Sequence, residues 1–232
     1  MQTDNGSQDI PVKLGNPKLH SFDKVNFFVT GFGSFGSIDD NPTSRLVEVI
    51  QIENEPRASI LSRKKIQVSA EACKQYVSEV NELYQQMKVK ESNSLFVVIN
   101  FGVNAGADRI NLEQMCYNNA DFCIPDVLNF QPKRQRICQE MEIMEPLKCR
   151  IDLQAIQGNL SNGIQTHVII NNDPGTYICN YMYFSCSWKL SNPNLATLFI
   201  HVPLFSVISA DQQTKCINEI LGRIAKFYLA PP

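Results

Sequence analysis

The chain has 232 residues, of which 44% are hydrophobic and 19% charged, a size and balance typical of one globular α/β domain. Its formal net charge of −2 excludes the broad basic surface that binding to nucleic acids or anionic lipids requires. The apolar runs are far shorter than the roughly 20 residues of a membrane span. We therefore expect neither a nucleic-acid partner nor a membrane partner.

The amino-terminal segment and the cysteines both predict a cytoplasmic protein. Residues 1–21 are polar, contain Gly and Pro, and lack the apolar core of a signal peptide, so we interpret them as a loose arm before one domain at 22–232. The eight cysteines form no C-x-x-C pair and are accompanied by only three histidines, which disfavours a metal site. We expect free thiols in a reducing compartment.

In chain order, predicted strands alternate with predicted helices. Apolar and β-branched runs predict strands at 24–32, 65–71, 94–103, 166–173 and 196–205. Amphipathic or apolar stretches predict helices at 43–55, 72–92, 151–160, 175–190 and 209–229. Residues 107–132 are less regular, with one extended segment, and 133–150 form a loop region. The alternation predicts a single-domain three-layer α/β/α sandwich with a twisted, mostly parallel mixed sheet and helices on both faces.

The first predicted strand runs into a glycine-rich segment, VTGFGSFG (residues 29–36), which has the G-x-G-x-x-G spacing of dinucleotide-binding turns. Such a turn needs its third glycine inside a helix, but Pro42 delays the next helix by about two turns. The pattern therefore disfavours nucleotide binding, and we expect no cofactor. A plain glycine-rich loop is one alternative. Phe32 and Phe35 favour another, a pocket for a small, flat, uncharged ring.

Three residues could form a nucleophilic centre. Cys179 lies at the start of a predicted helix, where unpaired N–H groups favour a thiolate and an oxyanion, although an inert buried cysteine fits equally well. His201, near the end of a strand, is the best candidate base, although an isolated histidine in an apolar strand is more often a core residue. Glu113 is a candidate for the carboxylate that orients the imidazole of His201, although its sequence position alone favours a solvated surface glutamate.

Four segments taken together carry a family resemblance. These are VTGFGSFGSIDDNPTSRLV, NFGVNAGADRINLEQMCYNNADFCIPDVLNFQP, NNDPGTYICNYMYF and FIHVP. In order and spacing they resemble the pyroglutamyl-peptidase I family of cysteine peptidases, over about residues 22–229. The resemblance implies a thiol protease and omega peptidase, a hydrolase that removes N-terminal pyroglutamate from blocked peptides without a metal or cofactor. It does not decide between a monomer and a homo-oligomer.

The positions of the matching motifs imply which residues of this chain have the family's catalytic and binding roles. The resemblance implies that Cys179 is the nucleophile, His201 the general base and Glu113 the carboxylate that orients it. It implies that Asn41 pins the amino-terminal loop. It also implies a pocket for the pyroglutamyl ring, formed by Phe32, Phe35, Ile124, Tyr177, Ile178 and Met182.

The chain departs from the family pattern at several positions. Gln114 and Cys123 stand where the family has arginines, Val103 stands where it has glutamine, and NDPG replaces NTAG. These changes bear on the oxyanion arrangement and the catalytic rate more than on the fold. They keep open an alternative, a catalytically weak or inactive member that binds pyroglutamyl peptides.

Overall fold

The computed structural model describes residues 21–36, 38–165 and 167–231, so the predicted arm at 1–21 lies, except for Ser21, outside the described residues. In chain order the elements are β1 (Lys24–Phe32), α1 (Pro42–Val49), β2 (Ala58–Ile66), α2 (Ala70–Lys90), β3 (Ser94–Val103), β4 (Ile110–Glu113), β5 (Met115–Tyr117), β6 (Pro146–Lys148), α3 (Leu153–Gly158), α4 (Asn162–Gln165), β7 (Val168–Asn171), α5 (Ile178–Lys189), β8 (Leu195–Val202) and α6 (Ala210–Tyr228).

Six of these strands form one mixed sheet in the order β2-β1-β3-β8-β4-β7, and β5 and β6 form a separate antiparallel ribbon. The strands β2, β1, β3 and β8 are parallel. β4 is antiparallel to β8, and β7 is parallel to β4. The mostly parallel mixed sheet predicted from the sequence is therefore confirmed.

Helices cover both faces of the sheet, because side chains of successive strand residues point to opposite faces. On one face, Phe27 and Val97 share an apolar core with Ile220 of α6, and α1 and α3 join the same core. On the other face, Phe28 and Val98 share a core with α2 and α5. The three-layer architecture is confirmed. None of the helices in the described ranges is both long enough and apolar enough to cross a membrane.

Two predicted boundaries were wrong on the β2 side of the sheet. The helix expected to reach residue 55 ends at Val49, where the Arg63 guanidinium donates to the carbonyls of Val47 and Ile50, each at 2.7 Å. The strand expected at 65–71 lies at Ala58–Ile66. β2 is an edge strand with exposed and partly exposed side chains, so its sequence lacks the apolar run that marks the buried strands.

The irregular region also differs from the expectation. Residues 107–132 contain two short strands, β4 and β5, rather than one extended segment. β4 inserts between β8 and β7, and it ends at Glu113. A four-residue strand gives too short a pattern for a sequence period to be recognised. This short strand nonetheless places the carboxylate beside the carboxyl end of β8.

Candidate active site

Three elements bring Cys179, His201 and Glu113 to one end of the sheet. Cys179 lies in the first turn of α5, directly after the loop that follows β7. His201 lies on β8, next to the last residue of that strand. Because β4 is antiparallel to β8, its Asn111 is paired with His201 and its Glu113 with Phe199. The three predicted catalytic side chains therefore come together, although they are far apart in sequence.

The histidine and the glutamate form a buried pair. His201 Nδ1 lies 2.7 Å from Glu113 Oε1, and the two side chains are 7% and 0% exposed. Burial alone would lower the pKa of His201, but the charge and hydrogen bond of Cys179, together with those of Glu113, raise that pKa from 6.5 to about 10. This raised pKa favours the protonated form of the imidazole at neutral pH. This arrangement favours a thiolate–imidazolium pair with the carboxylate behind it.

A glycine that the sequence reasoning did not single out makes room for the thiol. Gly102 of β3 pairs with His201 of β8. A Cβ atom at this position would lie 2.9 Å from Cys179 Sγ and 2.7 Å from two ring carbons of Phe199. Contacts this short force a neighbour to move, so only glycine leaves the sulfur in its place. Its signal in the sequence was a glycine next to the last residue of a buried strand.

The thiol opens into a cavity of about 430 Å³. Four of the six residues predicted for the ring pocket line it, namely Phe32, Phe35, Tyr177 and Ile178. The rings of Phe35 and Tyr177 pack at 5.5 Å between their centroids, while Phe32 and Ile178 are almost fully buried. Cys179 and His201 also line this cavity. The cavity is within the size range of small-molecule sites, and its carbon-rich walls suit an uncharged ring.

The other two predicted pocket residues do not line this cavity. Met182 is fully buried beneath the first turn of α5, with its sulfur 3.8 Å from that of Cys186. Ile124 is 48% exposed on the loop after β5. Met182 follows Cys179 by about one helical turn, and at that depth along α5 its side chain belongs to the buried core. Ile124 is exposed on a loop whose Pro125 carbonyl accepts a hydrogen bond from the Tyr177 hydroxyl.

Hydrogen bonds hold the glycine-rich loop that carries the two phenylalanines. Asn41 Nδ2 donates to the Gly33 carbonyl at 2.9 Å, and Asn41 Oδ1 accepts from the Thr43 N–H at 3.0 Å. A Cβ at Gly31 would lie 2.5 Å from the Thr43 carbonyl oxygen. Glycine is therefore required there for α1 to pack against β1. The glycine spacing that resembles a nucleotide turn is explained, at this position, by helix packing.

Comparison with known proteins identifies the family. A family model described as pyroglutamyl peptidase matches residues 25–222. The chain belongs to this family. A pyrrolidone-carboxylate peptidase from Thermococcus litoralis is 28% identical to it over 178 residues, which cover 75% of this chain and 74% of the relative. One from Aliivibrio fischeri is 24% identical over 203 residues, which cover 85% of this chain and 88% of the relative.

Solved structures show the same fold. The pyroglutamyl peptidase I of Bacillus amyloliquefaciens superposes with a TM-score of 0.71 at 20% identity, covering 89% of this chain and 99% of that one. The pyrrolidone carboxyl peptidase of Thermococcus litoralis gives 0.69 at 21% identity, covering 88% of this chain and 94% of that one. The resemblance noted in the sequence is confirmed. So is the enzyme class that the resemblance implied, a cysteine-type omega peptidase.

Proposed function

We propose that the protein is a cysteine exopeptidase that removes an N-terminal pyroglutamyl residue from peptides through a thioester intermediate. The observation that carries the proposal is the line of contacts from Glu113 through His201 to Cys179, which ends at the apolar cavity. The family to which the chain belongs supports the same reaction. Its partners in this proposal are peptides blocked by pyroglutamate.

The cavity fits the chemistry of a pyroglutamyl ring. Pyroglutamate is a five-membered lactam with no free amine and no charge, so an enzyme cannot anchor it through an ammonium group. Phe32, Phe35 and Ile178 supply apolar walls for the ring. Backbone groups of the surrounding loops would pair with the lactam N–H and C=O. A mispaired lactam group would cost about 1–3 kcal/mol, which favours this ring over a proline ring.

The reaction follows from the positions of the three side chains. The Cys179 thiolate attacks the carbonyl carbon between pyroglutamate and the next residue, and N–H groups at the start of α5 stabilise the oxyanion. The His201 imidazolium gives its proton to the leaving amine as the C–N bond breaks. Neutral His201 then takes a proton from water, which attacks the thioester. Pyroglutamate is released, and Glu113 keeps the imidazole oriented throughout.

The inactive-binder alternative receives no support from the triad. The two positions where arginine is replaced, Gln114 and Cys123, take no part in the side-chain hydrogen bonds that link Glu113 to His201. Cys123 is exposed on its loop. We therefore infer that these replacements affect the rate more than they affect the existence of the reaction.

We also infer that the protein works in the cytoplasm. All eight cysteines are free thiols. One of them, in this proposal, must remain reduced to act as a nucleophile. A reducing compartment keeps such thiols free.

The test is the release of a fluorescent amine from a pyroglutamyl amide by reduced protein, with the Cys179→Ala variant as the blank. We expect release from the pyroglutamyl amide, and at least about a hundredfold less from the matching prolyl amide, which lacks the lactam carbonyl. The absence of release by folded, reduced protein would contradict the proposal. Binding of the pyroglutamyl amide without turnover would select the inactive-binder alternative instead.

A further inference from the structure

The carboxylate of Glu113 has a second partner besides His201. Asn171 Nδ2 lies 2.9 Å from Glu113 Oε2 and 3.2 Å from Oε1, so one amide N–H spans both carboxylate oxygens. The carboxylate is fully buried. Within the described ranges, the hydrogen bonds to its side-chain oxygens come from His201 and Asn171. A buried carboxylate requires such donors, because it has lost its hydration.

The strand pairing fixes the position of Asn171. β4 and β7 run parallel, and the last residue of each, Glu113 and Asn171, are partners in the register. The Gln114 N–H donates to the Asn171 carbonyl at 2.7 Å, which locks the two strand ends together. The backbone pairing therefore brings the side chain of Asn171 beside that of Glu113.

The same amide group also contacts the segment that carries the nucleophile. Asn171 Nδ2 lies 2.8 Å from the carbonyl oxygen of Asp173. Asp173 lies in the short loop to α5, and its carboxylate accepts a hydrogen bond from the Gly175 N–H at 2.9 Å. With two N–H groups, Asn171 thus joins the carboxylate behind His201 to the loop that leads to Cys179.

We infer that Asn171 is a positioning residue of the active site, which sets the carboxylate of Glu113 and the loop before Cys179 in the geometry that the thiolate–imidazolium pair needs. It does not touch the reacting atoms. It acts through Glu113 and through the backbone of Asp173. The inference rests on the proposed function for its role in turnover, but its effect on the reactivity of the thiol is independent of the substrate.

The experiment replaces Asn171 by leucine, which keeps the volume and removes the amide, with Asn172→Ala as the matched control at the exposed neighbouring side chain. We expect Asn171→Leu to lower kcat about tenfold with KM within about twofold, since misplacement weakens the chemical step. The alkylation of Cys179 by iodoacetamide, followed by mass spectrometry of its peptide, should slow to a similar extent. Asn172→Ala should leave both rates unchanged.

A double-mutant cycle separates positioning from general damage. Because Asn171 acts partly through Glu113, Asn171→Leu should lower kcat clearly less than tenfold when Glu113→Gln is already present, and the loss that remains measures its contact with the Asp173 carbonyl. Full additivity of the two losses would overturn the inference. So would an unchanged alkylation rate in Asn171→Leu.

Circular dichroism checks that the variants fold, and Asn171→Ala serves as a second, milder variant. Unfolding of both variants would also overturn the inference, because it would assign a purely structural role.

The two readouts separate the inference from the proposed function. If the wild-type protein does not hydrolyse pyroglutamyl amides, the proposed function fails. The alkylation rate of Cys179 in the wild type and in Asn171→Leu would still report whether Asn171 positions the pair. A slower alkylation rate in the variant supports the inference in either case.

Discussion

Helix α5 carries two thiols in very different surroundings. Cys179 lies in its first turn, partly exposed and lining the cavity, and its sulfur helps to raise the pKa of His201. Cys186 lies two turns further along the same helix, fully buried, and burial raises its pKa to about 12. The residue type and the helix are the same. Cys179 has the helix terminus, the open cavity and the imidazole around it, whereas Cys186 is surrounded by the apolar core.

This comparison shows what makes a cysteine a nucleophile. The first turn of a helix offers free N–H groups and the positive end of its dipole, which the middle of the helix does not offer. A neighbouring imidazolium adds a full charge to that effect. The core around Cys186 supplies neither, so its sulfur serves only as a packing group.

The largest expected effect comes from removing each thiol in turn. Cys179→Ala should lower the hydrolysis of a pyroglutamyl amide by at least about 10⁴-fold, because Cys179 is the only cysteine among the described residues that lines the cavity and can form the thioester there. Cys186→Ala should keep turnover within about twofold, and its cost should be confined to stability, at about 1–2 kcal/mol from the lost core atoms. The measurements are steady-state rates and thermal unfolding. A large loss of turnover in a folded Cys186→Ala would break the distinction between the two positions.

A second, smaller effect tests whether the exact place of the Cys179 sulfur matters. Gly102→Ala puts a methyl group 2.9 Å from Sγ, so the sulfur or the Phe199 ring must shift. We expect kcat to fall about a hundredfold, since a misplacement of about 1 Å has effects of that order. The matched control is Gly106→Ala in the following loop, where the nearest atom, Asn104 Oδ1, is 3.6 Å away. Equal rates for the two variants would contradict the account of Gly102.

The sequence predicts the buried parts of the fold better than the edge. The range 94–103 was predicted with the bounds of β3, because a strand buried on both faces is a continuous apolar run. The edge strand β2 was misplaced, since a run of Ser, Arg and Lys residues interrupts its apolar positions. The end of α1 was also missed. It depends on Arg63, which comes from β2 and is near the helix only after folding.

The residues of the site also differ in how well the sequence predicts them. Cys179 could be suspected from a local signal, a turn followed by a helix, and the resemblance of several segments assigned His201 and Glu113. Gly102 left only a weak signal, a glycine near the end of a buried strand, and Asn171 left none. Their roles depend on which strands pair and in what register, β3 with β8 and β4 with β7. A pairing between distant strands is a property of the folded chain, which no local pattern encodes.

The next prediction tests the positive charge of His201, which lies beside Cys179 but not beside Cys186. Because Glu113 raises the pKa of His201, Glu113→Gln should lower it. In the wild type the imidazolium, and with it the protonation of the leaving amine, should be lost as the pH rises through about 10. In Glu113→Gln, the alkaline limb of the pH profile of kcat/KM should move down by about one pH unit, with about a tenfold lower rate at neutral pH. An unchanged alkaline limb in the folded variant would mean that the carboxylate does not set the charge of the pair.

The smallest effect concerns the cavity walls, which are apolar like the core around Cys186 but are proposed to hold a substrate. Phe35→Ala removes a ring that lines the cavity and packs on Tyr177. We expect KM for the pyroglutamyl amide to rise about fivefold, the loss of a modest apolar contact, while kcat and the alkylation of Cys179 stay nearly constant. Phe227→Ala, at an exposed phenylalanine on α6 that packs on Tyr228, is the matched control and should change none of the three. If Phe35→Ala slowed alkylation as much as it raised KM, the ring would be supporting the thiol rather than the substrate. The apolar surroundings of Cys179 and Cys186 would then serve the same purpose.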